Sequence, residues 1–167
     1  SGLAPAFAAL YNRSRIEGQH MANETEAKRE PAPERALFAV FVPLTTRWSD
    51  NDPYGHLNNV VYYELFDAAV NQLLIARGLL DPATSAVIGL VVESRCRFFA
   101  SLAFPDAIEV GVVVESIGRS SVHYRLAVFK AGAPTAAADG RYTHVYVERA
   151  SGRPATIPEA HRQAMQE

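Results

Sequence analysis

One apolar segment constrains the rest of the chain: "VVYYELFDAAVNQLLIARG", residues 60–78. Asn58 or Asn59 offers an N-cap, Gly78 follows the last apolar residue, and Arg77 falls in the final turn. These are helix signals at both ends. Val61, Leu65, Ala68 or Ala69, Gln72 and Ile75 make one stripe, and Tyr62, Phe66, Val70, Leu73 and Leu74 a second. So wide an apolar surface predicts a largely buried helix. About 18 residues at 1.5 Å each reach roughly 27 Å, the width of a small sheet.

What surrounds the helix reads as strand. Before it lies "LFAVFVPLTTRW", rich in β-formers, with Pro43 suggesting an edge position or a bulge. After Asp81 and Pro82 come "SAVIGLVVESRCRFFA", "DAIEVGVVVESIG", "SVHYRLAVFK" and "RYTHVYVER", separated by short turns at "FPD", "GRSS" and "KAGAPT". "IPEAHRQAM" predicts one or two closing helical turns. The order is strand, long helix, four strands. It predicts an α+β fold in which one curved antiparallel sheet of about five strands wraps a central helix on all sides. The open edges of such a sheet suit pairing with a second copy.

At 167 residues the chain fits one domain, and its net charge of -2 leaves no basic footprint for nucleic acid or a membrane surface. No stretch reaches the roughly 18 apolar residues of a spanning helix. The single cysteine, Cys96, allows no internal disulfide and suits a reducing, cytoplasmic setting. "SGLAPAFAALYNRSRIEGQHM" resembles an expression leader, so residues 1–20 are read as a tag and Met21 as the native start. Residues 21–35 are polar and proline-interrupted, the composition of a flexible lead-in, which leaves 36–167 as the folded domain.

The densest polar cluster, "SDNDPYGHLNN" (49–59), stands where the first strand gives way to the helix. It begins like a calcium loop, but the fifth position is Tyr54 and the twelfth is Val61, where a bidentate Glu is required. No metal is therefore expected. Asp50 and Asp52 suit an Asx turn. They also suit chemistry, because first-turn amides near Asn58 to Val60 carry partial positive charge and can hold a developing oxyanion. A carboxylate just upstream can then attack a carbonyl or activate water. Gly55 permits close backbone approach, and His56 is a possible second acid or base. Cys96 lies between Arg95 and Arg97, which favour a thiolate. It has no patterned histidine partner and reads as a small strand residue, as His123 and His144 read as satisfied strand residues. Ser120 and Ser121 lack the strand–elbow–helix setting of a serine hydrolase.

The run "TTRWSDNDPYGHLNNVVYYELFDAA" followed by strands resembles the hotdog-fold acyl-CoA thioesterases of the 4-hydroxybenzoyl-CoA thioesterase-like superfamily. Asp50, Asp52, Gly55, His56, Asn58 and Asn59 match its opening pattern in order, and "GRSS" and "RPATIPE" also fit. The resemblance implies a hotdog fold, a homodimer that often assembles to a tetramer, and hydrolysis of an acyl-CoA or acyl-carrier-protein thioester without cofactor. It implies Asp52 as nucleophile or general base, and the backbone N–H near Asn59 as the carbonyl-polarising donor. Glu64 is held in reserve, since some relatives use a helix glutamate. Tyr62 borders the expected acyl groove, and Arg119, Ser120 and Ser121 are the candidates for the nucleotide end of coenzyme A. A hydratase or dehydratase working through His56, and a non-catalytic acyl-thioester binder, stay open as alternatives.

Overall fold

The computed structural model describes residues 30–166. The expected leader (1–20) and most of the expected lead-in (21–29) lie outside the described residues. The compact unit that carries the fold begins at Ala32. Strand β1 (Val40–Thr45) leads through a short 3-10 turn at Trp48–Asp50 into helix α1 (Asn59–Ala76). Four long strands follow: β2 (Val87–Phe98), β3 (Ala107–Ile117), β4 (Ser121–Lys130) and β5 (Ala138–Glu148). A short helix α2 (Glu159–Ala164) closes the chain. The strands form one sheet in the order β1-β3-β4-β5-β2, with every pairing antiparallel. Pro43 sits in β1, an edge strand, where an imino acid interrupts no second ladder. No helix among the described residues is long and apolar enough to cross a membrane.

As expected, one antiparallel five-stranded sheet wraps the long helix α1, but it covers one face of the helix and does not enclose it on all sides. Val61, Tyr62, Leu65, Phe66, Ala69, Val70 and Leu74 are buried, at the three- and four-residue spacing of a single face. Val60, at 63% exposure, and Ile75, at 46%, face away from the sheet. Five strands cover one side of a helix, so the excess apolar width read from the sequence has no partner within one chain. The lead-in is also shorter than its composition suggests. Glu34 bridges Thr135, and the Arg35 amide donates to the Pro134 carbonyl at 2.7 Å. Both tie residues that were expected to be loose to the β4–β5 connection.

Phe66 packs directly against Gly140. Phe66 is fully buried, and a Cβ added at Gly140 would stand 2.4 Å from its ring and 3.0 Å from the Arg95 carbonyl oxygen. Glycine is thus the residue that lets the helix settle on β5. Gly140→Ala is expected to cost roughly 2 to 3 kcal/mol, the usual range for overpacking a core, and to lower Tm by about 8 °C. Adding Phe66→Leu should recover part of that loss in a double-mutant cycle followed by thermal melting.

On the helix-facing side of β5, Tyr142, His144 and Tyr146 form a buried row, with Tyr142 donating to Asp67 of α1. His144 was expected to be a satisfied strand residue, yet among the described residues its Nδ1 has no hydrogen-bond partner. Burial pushes its imidazole down to about 4, against a weaker upward pull from Asp67. A histidine forced to stay neutral in the fold stabilises fully above its unfolded value of about 6.5, and that stability is lost as pH falls below it. Unfolding stability is therefore expected to drop by roughly 2 kcal/mol between pH 6.5 and 4.5. In urea titrations the His144→Phe variant should show a flatter slope over that window.

Candidate active site

The two aspartates of the polar cluster have separate duties. Asp50 is 3% exposed, and its carboxylate takes the Arg47 backbone N–H at 2.7 Å and the Arg47 Nε at 2.8 Å. That closes the short turn through residues 48–50 and raises the Arg47 guanidinium above its ordinary value. Asn51 accepts from the Phe104 amide at 2.9 Å, and Thr46 donates to the Asp106 carbonyl at 3.0 Å. The loop is thus stitched to the β2–β3 connection. Asp52 stands at the loop tip. Its Oδ1 accepts from the Tyr54 amide at 2.9 Å and the His56 amide at 3.1 Å, an Asx turn that fixes the side chain. Gly55 completes the turn at φ 81°, a conformation only glycine takes without cost. Among the described residues Oδ2 has no hydrogen-bond partner.

Immediately after this turn the helix begins, and its first amides are disposed of one by one. The Asn58 N–H donates to the Asp50 carbonyl at 2.8 Å. The Asn58 side chain, as N-cap, takes the Val60 amide at 3.2 Å, and its carbonyl takes that of Val61 at 3.0 Å. Among the described residues the Asn59 amide has no such acceptor. One first-turn donor is left over, at the positive end of an 18-residue helix.

Asp52, His56, Asn59 and Tyr62 line one open pocket of about 410 Å³, with Phe98, Phe99, Ala100 and Ser101 on its other side. Tyr62 is buried, and its ring meets that of Phe98 edge-on at 5.0 Å. Burial raises the Tyr62 phenol, with Cys96 adding to the effect. Cys96 itself is pushed up to about 12 by burial, with Asp139 adding to it. The flanking arginines do not activate it, because alternate residues of a strand point to opposite faces. The chemistry on offer is a carboxylate and an unsatisfied amide facing one concave space. Among the described residues no group of three or more His, Cys, Asp or Glu side chains is placed to hold a metal ion.

The structure gathers Asp52, Gly55, His56, Asn59 and Tyr62 at one end of the sheet and leaves the remaining candidates elsewhere. Glu64 is on the exposed side of α1, in an ion pair with Arg47 at 2.8 Å, and does not border the pocket. Arg119 and Ser120 lie in the β3–β4 turn and Ser121 opens β4, at the far end of β3 from the pocket. Eleven residues of strand, roughly 36 Å, lie between. The wall built by Phe98 to Ser101 escapes the sequence pattern, because only the register of β2 against β5 carries the end of β2 to the helix start.

The fold has parallels among solved structures. The PA5185 protein of Pseudomonas aeruginosa PAO1 is similar at 53% identity and a TM-score of 0.80, over 81% of this chain and 95% of that one. A thioesterase from Thermus thermophilus, complexed with coenzyme A and Zn, is similar at 29% identity and a TM-score of 0.65, over 77% and 93%. A 1,4-dihydroxy-2-naphthoyl-CoA thioesterase from Synechocystis shares the fold at 15% identity and a TM-score of 0.69, over 76% and 95%. No curated protein is matched. The thioesterase-like superfamily profile matches residues 46–165, the whole span from the polar loop to α2, and the chain belongs to that superfamily.

Proposed function

We propose that the protein hydrolyses acyl-CoA or acyl-carrier-protein thioesters through Asp52. The observation that carries this reading is the pairing, in one pocket, of the Asp52 carboxylate with the spare Asn59 amide. The thioester carbonyl oxygen takes the Asn59 N–H, and negative charge developing there is stabilised by the helix start. Asp52 Oδ2 either adds to the carbonyl carbon or draws a proton from an attacking water. The C–S bond breaks, the thiolate leaves and is protonated, and water supplies the oxygen of the free acid. The similar thioesterase from Thermus thermophilus, complexed with coenzyme A, supports coenzyme A as the thiol carrier. Thiol release measured across an acyl-CoA panel, with Asp52→Asn as control, tests the reading. An equal rate from the folded variant would sink it.

A second copy completes the site in this reading. The free edge of β2 is twelve residues long without proline or lysine, and leaves Leu90, Val91 and Val92 exposed. Antiparallel pairing of two β2 strands about a two-fold axis brings the Arg119–Ser121 turn of the second copy toward the pocket end of the first. That places its cation and hydroxyls for the nucleotide of coenzyme A. Sedimentation is expected to give a dimer or a tetramer built from dimers; a monomer at micromolar concentration would remove this part of the proposal. Because His56 shares the pocket with Asp52, hydration of an enoyl thioester is the second reading. A crotonyl thioester that gains water and keeps its thiol would favour it.

A further inference from the structure

Asp52 and the Asn59 amide belong to two separately bonded pieces of the chain. The first is a tight hairpin through residues 50–58. Asn51 bridges Leu57, the Asp52 amide donates to the His56 carbonyl at 2.7 Å, and the Asn58 amide donates to the Asp50 carbonyl at 2.8 Å. The second is helix α1, which starts at Asn59. A carboxylate on one piece and a donor on the other meet the same carbonyl group only while the angle between the pieces is held. Such alignment matters to rate, because a displacement of about 1 Å can cost a hundredfold.

Among the described residues two side-chain hydrogen bonds cross the junction. One is local, from the Val60 amide to the Asn58 cap at 3.2 Å. The other is long. Arg47, at the foot of the hairpin, donates from Nε to Asp50 Oδ1 at 2.8 Å and from Nη2 to Glu64 Oε2 at 2.8 Å. Glu64 stands in the second turn of α1. One planar guanidinium therefore grips a buried acid of the hairpin and an exposed acid of the helix at once, a fork that a single ammonium does not offer. Neither Arg47 nor Glu64 borders the pocket.

Resting on the thioesterase reading, we infer that Arg47 and Glu64 form a strut between hairpin and helix, with Arg47 the positioning residue that sets Asp52 against the Asn59 amide. Glu64 is its foothold on the helix and takes no proton in the reaction. The two side chains are 57% and 58% exposed. An exposed pair adds little to global stability, so cutting it should leave Tm in place. Its reach is bounded too: so weak a tie changes the aligned population by no more than about fivefold.

Glu64→Ala cuts the strut and leaves the contact between Arg47 and Asp50 whole. Its kcat is expected to fall about three- to fivefold, with KM within about twofold of wild type and Tm unchanged. Glu64→Gln keeps an oxygen for Arg47 Nη2 but has no basic carboxylate, and should retain most of the wild-type kcat. The Val60 and Val61 amides bond to Asn58 across the junction. By NMR they are expected to exchange hydrogen about three- to fivefold faster in Glu64→Ala, and at close to the wild-type rate in Glu64→Gln. A Glu64→Ala variant unchanged in either readout overturns the strut. So does a Glu64→Gln variant as slow in turnover as Glu64→Ala, which would make Glu64 an acid or base of the reaction. If wild type cleaves no thioester, the hydrolase reading fails, and the exchange rates alone decide whether the strut holds hairpin to helix.

Discussion

A folded Asp52→Asn variant is expected to lose about three orders of magnitude in kcat/KM, close to 4 kcal/mol of transition-state stabilisation. The amide is nearly the same size and keeps an oxygen for the Tyr54 and His56 amides, so the Asx turn survives. What it lacks is the basic, nucleophilic lone pair. The change is therefore expected in kcat, with KM moving little, because the carboxylate acts on the reacting carbonyl and does not anchor the nucleotide. Asp50→Asn makes the contrast. Asp50 is buried against Arg47, so its loss should lower stability as well as rate, and a thermal melt separates the two.

Asn59→Pro should be nearly as damaging, for a different reason. The proposed oxyanion donor is a backbone atom, which ordinary side-chain replacement leaves in place. Only proline removes the N–H. The first residue of a helix is where proline is best tolerated, and Asn58 before it already has φ -59° and ψ 138°, the extended geometry that a following proline imposes. The variant is expected to fold with an unchanged melting point and to lose roughly a hundred- to a thousandfold in kcat. Asn59→Ala, which keeps the amide, should retain most activity. Equal activity in the proline and alanine variants would remove the oxyanion assignment.

The part of the site legible in the sequence is the part that is local. Asp52, Gly55, His56, Asn59 and Tyr62 fall within eleven consecutive residues, and a turn running into a helix start brings them together whatever the sheet does. Pro43 at an edge and the closing helix were equally readable from backbone chemistry. What escaped depends on pairing between distant segments. Phe98 joins Tyr62 only through the β2–β5 register, and Cys96 is shielded from the charges beside it by strand alternation. The exposed side of α1 was misread because apolar width reports how much surface wants cover, without reporting which molecule covers it. Glu64, held only in reserve, is an exposed, ion-paired acid, and the Arg47 that holds it comes from the preceding loop.

The placement of the pocket and the Arg119 turn at opposite ends of one sheet has a genetic consequence. If two copies pair antiparallel, each site draws its acid from one chain and its phosphate-binding turn from the other. Two individually crippled proteins, Asp52→Asn and Arg119→Ala, then become complementary when mixed and allowed to exchange subunits. Half of the sites in the mixed dimer inherit both healthy parts and the other half inherit neither. A cell carrying the two alleles would regain hydrolysis that neither allele supports alone, and strong dilution of the protein would take it away again.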